Sequence, residues 1–66
     1  MSIYTVVTEN YPAQNITASG PGEAIQDYVA GKNITLVGTK RRVEYPILHW
    51  EWDRANGLPV HAVPMG

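Results

Sequence analysis

Apolar residues fall along this chain in short β-type runs, broken once by a helical spacing. Residues 3–8, Ile3-Tyr4-Thr5-Val6-Val7-Thr8, are almost all β-branched or aromatic and suit a pleated, half-buried strand. Asn10-Tyr11-Pro12 interrupts it, since proline removes a ladder donor and restricts the residue before it. Residues 14–18 allow a short second strand. Ala24, Ile25, Tyr28 and Val29 then recur at i, i+1, i+4 and i+5, one stripe of a helix of about ten residues. Gly20 stands at its N-cap, Pro21 at the first helical position, Glu23 at the third, and Gly31 where a helix stops. So short a helix does not persist alone, and packing must hold it.

The second half returns to strand. Residues 33–39, with Ile34, Leu36 and Val37 apolar, predict one strand, Lys40-Arg41-Arg42 a turn, and residues 43–52 a long strand. Pro46 inside that run predicts an edge position or a bulge. Residues 53–57 hold the strongest turn, because Asn56-Gly57 readily supplies positive φ. Residues 58–63 then complete a hairpin. The fold class is α+β: a mostly antiparallel sheet of four to five strands with one short helix on one face, order β(β)αβββ.

Composition narrows the picture. Sixty-six residues make one domain, near the lower size limit for a chain that folds without staples, and there is no cysteine to supply a disulfide or a zinc thiolate site. Marginal stability is therefore expected, with a homodimer or a bound subunit as the remedy. Five basic side chains against six acidic ones argue against both an acidic nucleic-acid mimic and a strongly cationic binder. No apolar run approaches the ~20 residues of a membrane span. Met1 reads as a native start without a signal peptide, which with the lack of cysteine predicts a cytoplasmic protein.

The chemistry-bearing residues concentrate in residues 40–61. Alternation puts His49, Glu51 and Asp53 on one strand face, with His61 on the next strand. A five-residue loop over 53–57 would pair Trp52 with Leu58 and set His49 opposite His61. A two-residue Asn56-Gly57 turn would pair Trp52 with His61 and put the histidines on opposite faces. Two His and a carboxylate form a metal ligand set, and His beside Glu can pass a proton. With the register open and no thiolate, a solvated polar face is the simpler reading, and no metal or cofactor is expected.

Trp50 and Trp52 share the other face with Leu48, suited either to packing under the helix or to anchoring a partner. Lys40-Arg41-Arg42, with Tyr45 nearby, reads either as a solvated turn or as a phosphate-neutralising footprint. Ser19-Gly20-Pro21-Gly22 precedes a helix but lacks the phosphate-loop lysine and the GxGxxG pattern, so it reads as a cap. Asn-Ile-Thr occurs at Asn15 and at Asn33, formally glycosylation sequons without a secretory signal. No nucleophile sits in an elbow motif, and a pocket of the usual size would consume most of this core, which points away from an enzyme.

A strand through Gln14-Asn15-Ile16-Thr17-Ala18-Ser19 leads into the short helix Glu23-Ala24-Ile25-Gln26-Asp27-Tyr28-Val29, followed by strands with an Asn-Gly turn. In outline and size this resembles the small phage-encoded anti-CRISPR proteins. The resemblance implies a non-enzymatic inhibitor that binds a larger protein or ribonucleoprotein complex, such as a CRISPR effector, in the host cytoplasm and blocks its nucleic-acid recognition. It carries no residue by motif. From the residues themselves, Lys40, Arg41, Arg42, Tyr45, Trp50 and Trp52 are the expected partner-binding set. The alternative is a small nucleic-acid-binding or regulatory protein that uses the basic turn at Lys40, Arg41 and Arg42.

Overall fold

The computed structural model describes residues 1–65. The chain forms β1 (Ser2–Thr8), β2 (Tyr11–Ala18), α1 (Pro21–Val29), β3 (Arg41–Val43), β4 (His49–Trp52) and β5 (Val60–Pro64). The strands make one antiparallel sheet in the order β2-β1-β5-β4-β3, so the fold is α+β with five strands and one helix. The first and last strands lie side by side, Val6 opposite Ala62, and this long-range pairing joins the two halves.

Alternation sorts the strands into two faces. Tyr4, Val6 and Thr8 of β1, Ala18 of β2, and Val60 and Ala62 of β5 are buried on the inner face, where α1 lies across the sheet. The helix answers with Ala24, Ile25 and Tyr28, three of the four stripe residues; Val29 is half-buried at its margin. Alanines at positions 18, 24 and 62 allow helix and sheet to approach closely. The Tyr28 ring is buried and its hydroxyl donates to the Pro12 carbonyl at 2.6 Å, which gives the phenol its polar partner. Burial raises the Tyr28 pKa above its ordinary value.

The helix boundaries follow the local signals. Gly20 is the N-cap with Pro21 behind it, Ala30 closes the last turn, and Gly31 takes a φ of +80°. Ser19 Oγ donates to Glu23 Oε1 across the first turn. The β1–β2 hairpin turns at Asn10, whose φ of +71° asparagine tolerates better than most residues, and β2 begins at Tyr11, earlier than the break at Pro12 suggests.

Four expectations for residues 33–52 are corrected. Residues 33–39 do not form a strand: their only ladder pairing among the described residues is an isolated bridge, Leu36 to Arg54, while Ile34 and Leu36 pack on the core. Gly38, at a φ of +70°, breaks the extended path. Arg41 and Arg42 are not a turn but the start of β3, which pairs with β4 through Arg41 to Glu51, Arg42 to Trp50 and Val43 to His49. The predicted strand over 43–52 is split, since residues 44–48 reverse the chain between β3 and β4. Pro46, with a cis peptide bond to Tyr45, sits in that reversal rather than at an edge or bulge. A residue without an N–H fits a loop better than a ladder.

The turn after β4 is also longer than Asn-Gly alone. Gly57 has a φ of +97°, whereas Asn56 is not in the positive region. Trp52 pairs with Val60, so residues 53–59 connect the strands. Neither register considered from the sequence is the one formed.

Candidate functional site

The outer face of the sheet has no helix over it. On it, the β4–β5 register sets Glu51 directly opposite His61, and His49 stands two residues before Glu51 on the same face. Glu51 Oε2 lies 3.2 Å from His49 Nε2 and 3.4 Å from His61 Nδ1. The two imidazole rings are 5.5 Å apart between centroids. All three side chains are sheltered without being sealed, at 12% exposed for His49, 22% for Glu51 and 32% for His61.

The neighbouring strand β3 completes the constellation. Arg41 points to the same face and donates from Nη2 to Glu51 Oε1 at 3.2 Å. Its guanidinium also forks onto Asp53, at 3.0 Å to Oδ2 and 3.2 Å to Oδ1. One carboxylate oxygen of Glu51 thus answers the arginine while the other faces the histidines. The Asp53 and Glu51 hydrogen bonds, in that order, hold the Arg41 pKa above its ordinary value. Arg41 in turn keeps the Asp53 carboxyl below the usual carboxylate range. Glu51 is lowered first by its contact with His49 and then by Arg41. His49 is raised, first by the Ile47 carbonyl at 2.9 Å from Nδ1 and then by Glu51.

The expected partner-binding residues are dispersed. Arg41 is tied into the outer-face network, and Arg42 meets Glu44 only at 3.6 Å. The Lys40 stem lies across the start of α1, where a Cβ on Gly22 would meet its Cε at 3.3 Å. Trp50 and Trp52 are half-buried against the core: Trp50 meets Tyr4 edge-on at 6.2 Å, and Trp52 Nε1 donates to the Gly38 carbonyl at 3.2 Å. Tyr45 projects into solvent, 86% exposed at the end of the β3–β4 hairpin. Beside it Ile47 is 57% exposed, a residue hidden from sequence reasoning because its run read as strand.

Two small clefts open on the surface. One of about 130 Å3 runs beside Arg54 and Ile34, and one of about 330 Å3 opens at the start of α1 beside Lys40 and Trp52. Among the described residues, no helix is long and apolar enough to cross a membrane. No protein-family model, curated protein or solved structure matches this chain.

Proposed function

We propose that this chain is a non-enzymatic protein-binding module that docks onto a larger partner through the end of its β3–β4 hairpin. The observation that carries the reading is the exposed pair Tyr45 and Ile47, two large apolar side chains flanking Pro46 at a tip with Arg42 and Glu44 beside it. Aromatic and aliphatic anchors of this kind fill pockets on a partner, while rim charges tune encounter. The partner is therefore a folded protein with an apolar cleft. In this reading Lys40 and Arg42 supply rim charge and Tyr45 and Ile47 the anchors. Trp50 and Trp52 support the hairpin from the core side, and Arg41 holds its register. Inhibition of a CRISPR effector in a host cytoplasm is the narrower form of the proposal and rests on the resemblance of outline.

Nucleic-acid binding is the weaker alternative. Two carboxylates occupy the Arg41 guanidinium, and the chain carries a net charge of −1, so few cations are free to neutralise phosphates.

The test is affinity capture of the partner, followed by titration with folded single alanine variants at Lys40, Arg42, Tyr45 and Ile47, with Gln26→Ala and Asp27→Ala on the exposed side of α1 as controls. Tyr45→Ala is expected to cost about 2 kcal/mol or more of binding while the melting curve stays put. Loss of binding at the helix variants with none at Tyr45 and Ile47 sinks the proposal. A steep fall in RNA or DNA affinity with salt, together with no protein partner, selects the alternative.

A further inference from the structure

The outer-face cluster does not take part in that docking. We propose that His49, Glu51 and His61 form a binding site for a first-row divalent transition metal, with Zn2+ as the reference case. This departs from the expectation of no metal, which rested on an undecided register. The register that forms brings both imidazoles to one carboxylate.

Three features carry the inference. First, the donor set is two imidazoles and a carboxylate, one ligand atom from each lying within 4.8 Å of the other two. Bonds of ~2.05 Å in a tetrahedron place neighbouring ligand atoms ~3.3 Å apart. The two Glu51–His separations, 3.2 and 3.4 Å, match that edge. Closure of the imidazoles on one ion then asks only for side-chain adjustment, with further coordination positions facing solvent.

Second, the surroundings of His49 place a proton on Nδ1. A carbonyl can only accept, so Nδ1 carries the proton that bonds Ile47 O at 2.9 Å. In the neutral ring this leaves the Nε2 lone pair directed at Glu51 Oε2, another acceptor. Two acceptors facing one another repel unless a cation lies between them, either a proton on Nε2 or a metal ion shared by both. The Nδ1–H to carbonyl bond is also the supporting contact that orients histidine ligands around a metal.

Third, the surrounding charge is compatible with a cation. Asp53 engages Arg41 through both carboxylate oxygens, so Glu51, Asp53 and Arg41 sum to one negative charge. Arg41 on Oε1 holds the Glu51 carboxylate with Oε2 toward the histidines. Imidazole donors select Zn2+, Ni2+, Co2+ or Cu2+ over the oxygen-seeking Mg2+ and Ca2+.

The experiment uses tag-free protein, since the chain's two histidines are then its only imidazoles. Calorimetric titration with Zn2+ is expected to saturate at one ion per chain. At a hundredfold excess of free ion over Kd, the melting temperature should rise by roughly 10–20 °C, and Mg2+ should leave it unchanged. Co2+ should give visible absorption bands that Zn2+ displaces. His61→Ala and Glu51→Gln should each weaken Zn2+ binding at least tenfold. His61 is the most exposed of the three, so its variant keeps the test valid even if His49→Ala fails to fold. Absence of saturable Zn2+ binding overturns the site, as does unchanged affinity in both His61→Ala and Glu51→Gln. Half an ion per chain would place the metal between two copies and overturn a site built by one chain.

Discussion

Replacement of Gly57 by alanine perturbs two things at once, and the structure separates them. The residue sits at a φ of +97°, where a side chain is strained, and a Cβ built there would meet Arg54 Cζ at 2.8 Å and Nε at 3.0 Å. Arg54 is itself 8% exposed and reaches Glu9 Oε1 at 3.3 Å, so the new methyl group must displace a buried guanidinium. Backbone strain costs about 1.5 kcal/mol, and loss of the half-exposed Glu9 contact with its packing about 1 kcal/mol more. Alanine restricts the unfolded chain and returns about 0.5 kcal/mol, leaving a net loss of about 2 kcal/mol. Unfolding entropy near 2.1 cal/mol/K per residue makes each kcal/mol worth about 7 °C in a chain of this size, so Tm should fall by about 14 °C.

Gly31→Ala is the matched control. Its φ is +80°, and nothing stands within 4 Å of the added Cβ. It carries strain alone, a net loss of about 1 kcal/mol or about 7 °C. The assay is thermal and urea unfolding followed by circular dichroism. The reasoning is refuted if Gly57→Ala melts within about 3 °C of the parent, a shift smaller than strain alone should give. Equal losses at the two glycines would show that Arg54 is not held as described. In an Arg54→Ala background the extra cost at Gly57 should disappear, which a double-mutant cycle reads directly.

Other substitutions probe separate parts of the structure. Tyr28→Phe removes the donor to the Pro12 carbonyl and should lower stability by about 1–2 kcal/mol; an unchanged urea midpoint would deny that bond. Ile25→Ala empties the centre of the helix–sheet contact and should cost about 2–5 kcal/mol, a large share of what a domain this small possesses. Its far-ultraviolet signal without denaturant shows whether the fold survives. Arg41→Ala should return the Asp53 carboxyl to its ordinary range, measured by carboxyl-carbon NMR titration. Since the folded value is depressed, the ion pair helps the fold above the ordinary carboxylate range and is lost as pH falls through the lowered value. An Asp53 titration that ignores the substitution would remove Arg41 from the network.

Much of the architecture was readable because it is local. The β-branched run at Ile3 to Thr8, the stripe of Ala24, Ile25 and Tyr28, and the Pro21 and Gly31 signals each act within a few residues of chain. Each survived as β1, as the buried helix face and as the helix ends. Gly57 took its positive φ for the same reason. The basic run misled because Lys40-Arg41-Arg42 has the composition of a turn. Yet the true reversal lies at residues 44–48, and β4 supplies partners for Arg41 and Arg42 that no local rule contains.

What tertiary structure alone decided is the site. Both hairpin registers drawn from the sequence set the wrong residue opposite Trp52, because the connection runs from Asp53 through Pro59 with the Arg54 side chain buried beneath it. Strand side chains alternate with a period of two, so one residue of slip carries His61 from the face of Glu51 to the face of Trp52. Long-range pairing of β5 with β1, Val6 against Ala62 and Val7 against His61, fixes which face that is. Residue types alone named the two histidines and the carboxylate; only the closed sheet set them 3.2 and 3.4 Å apart.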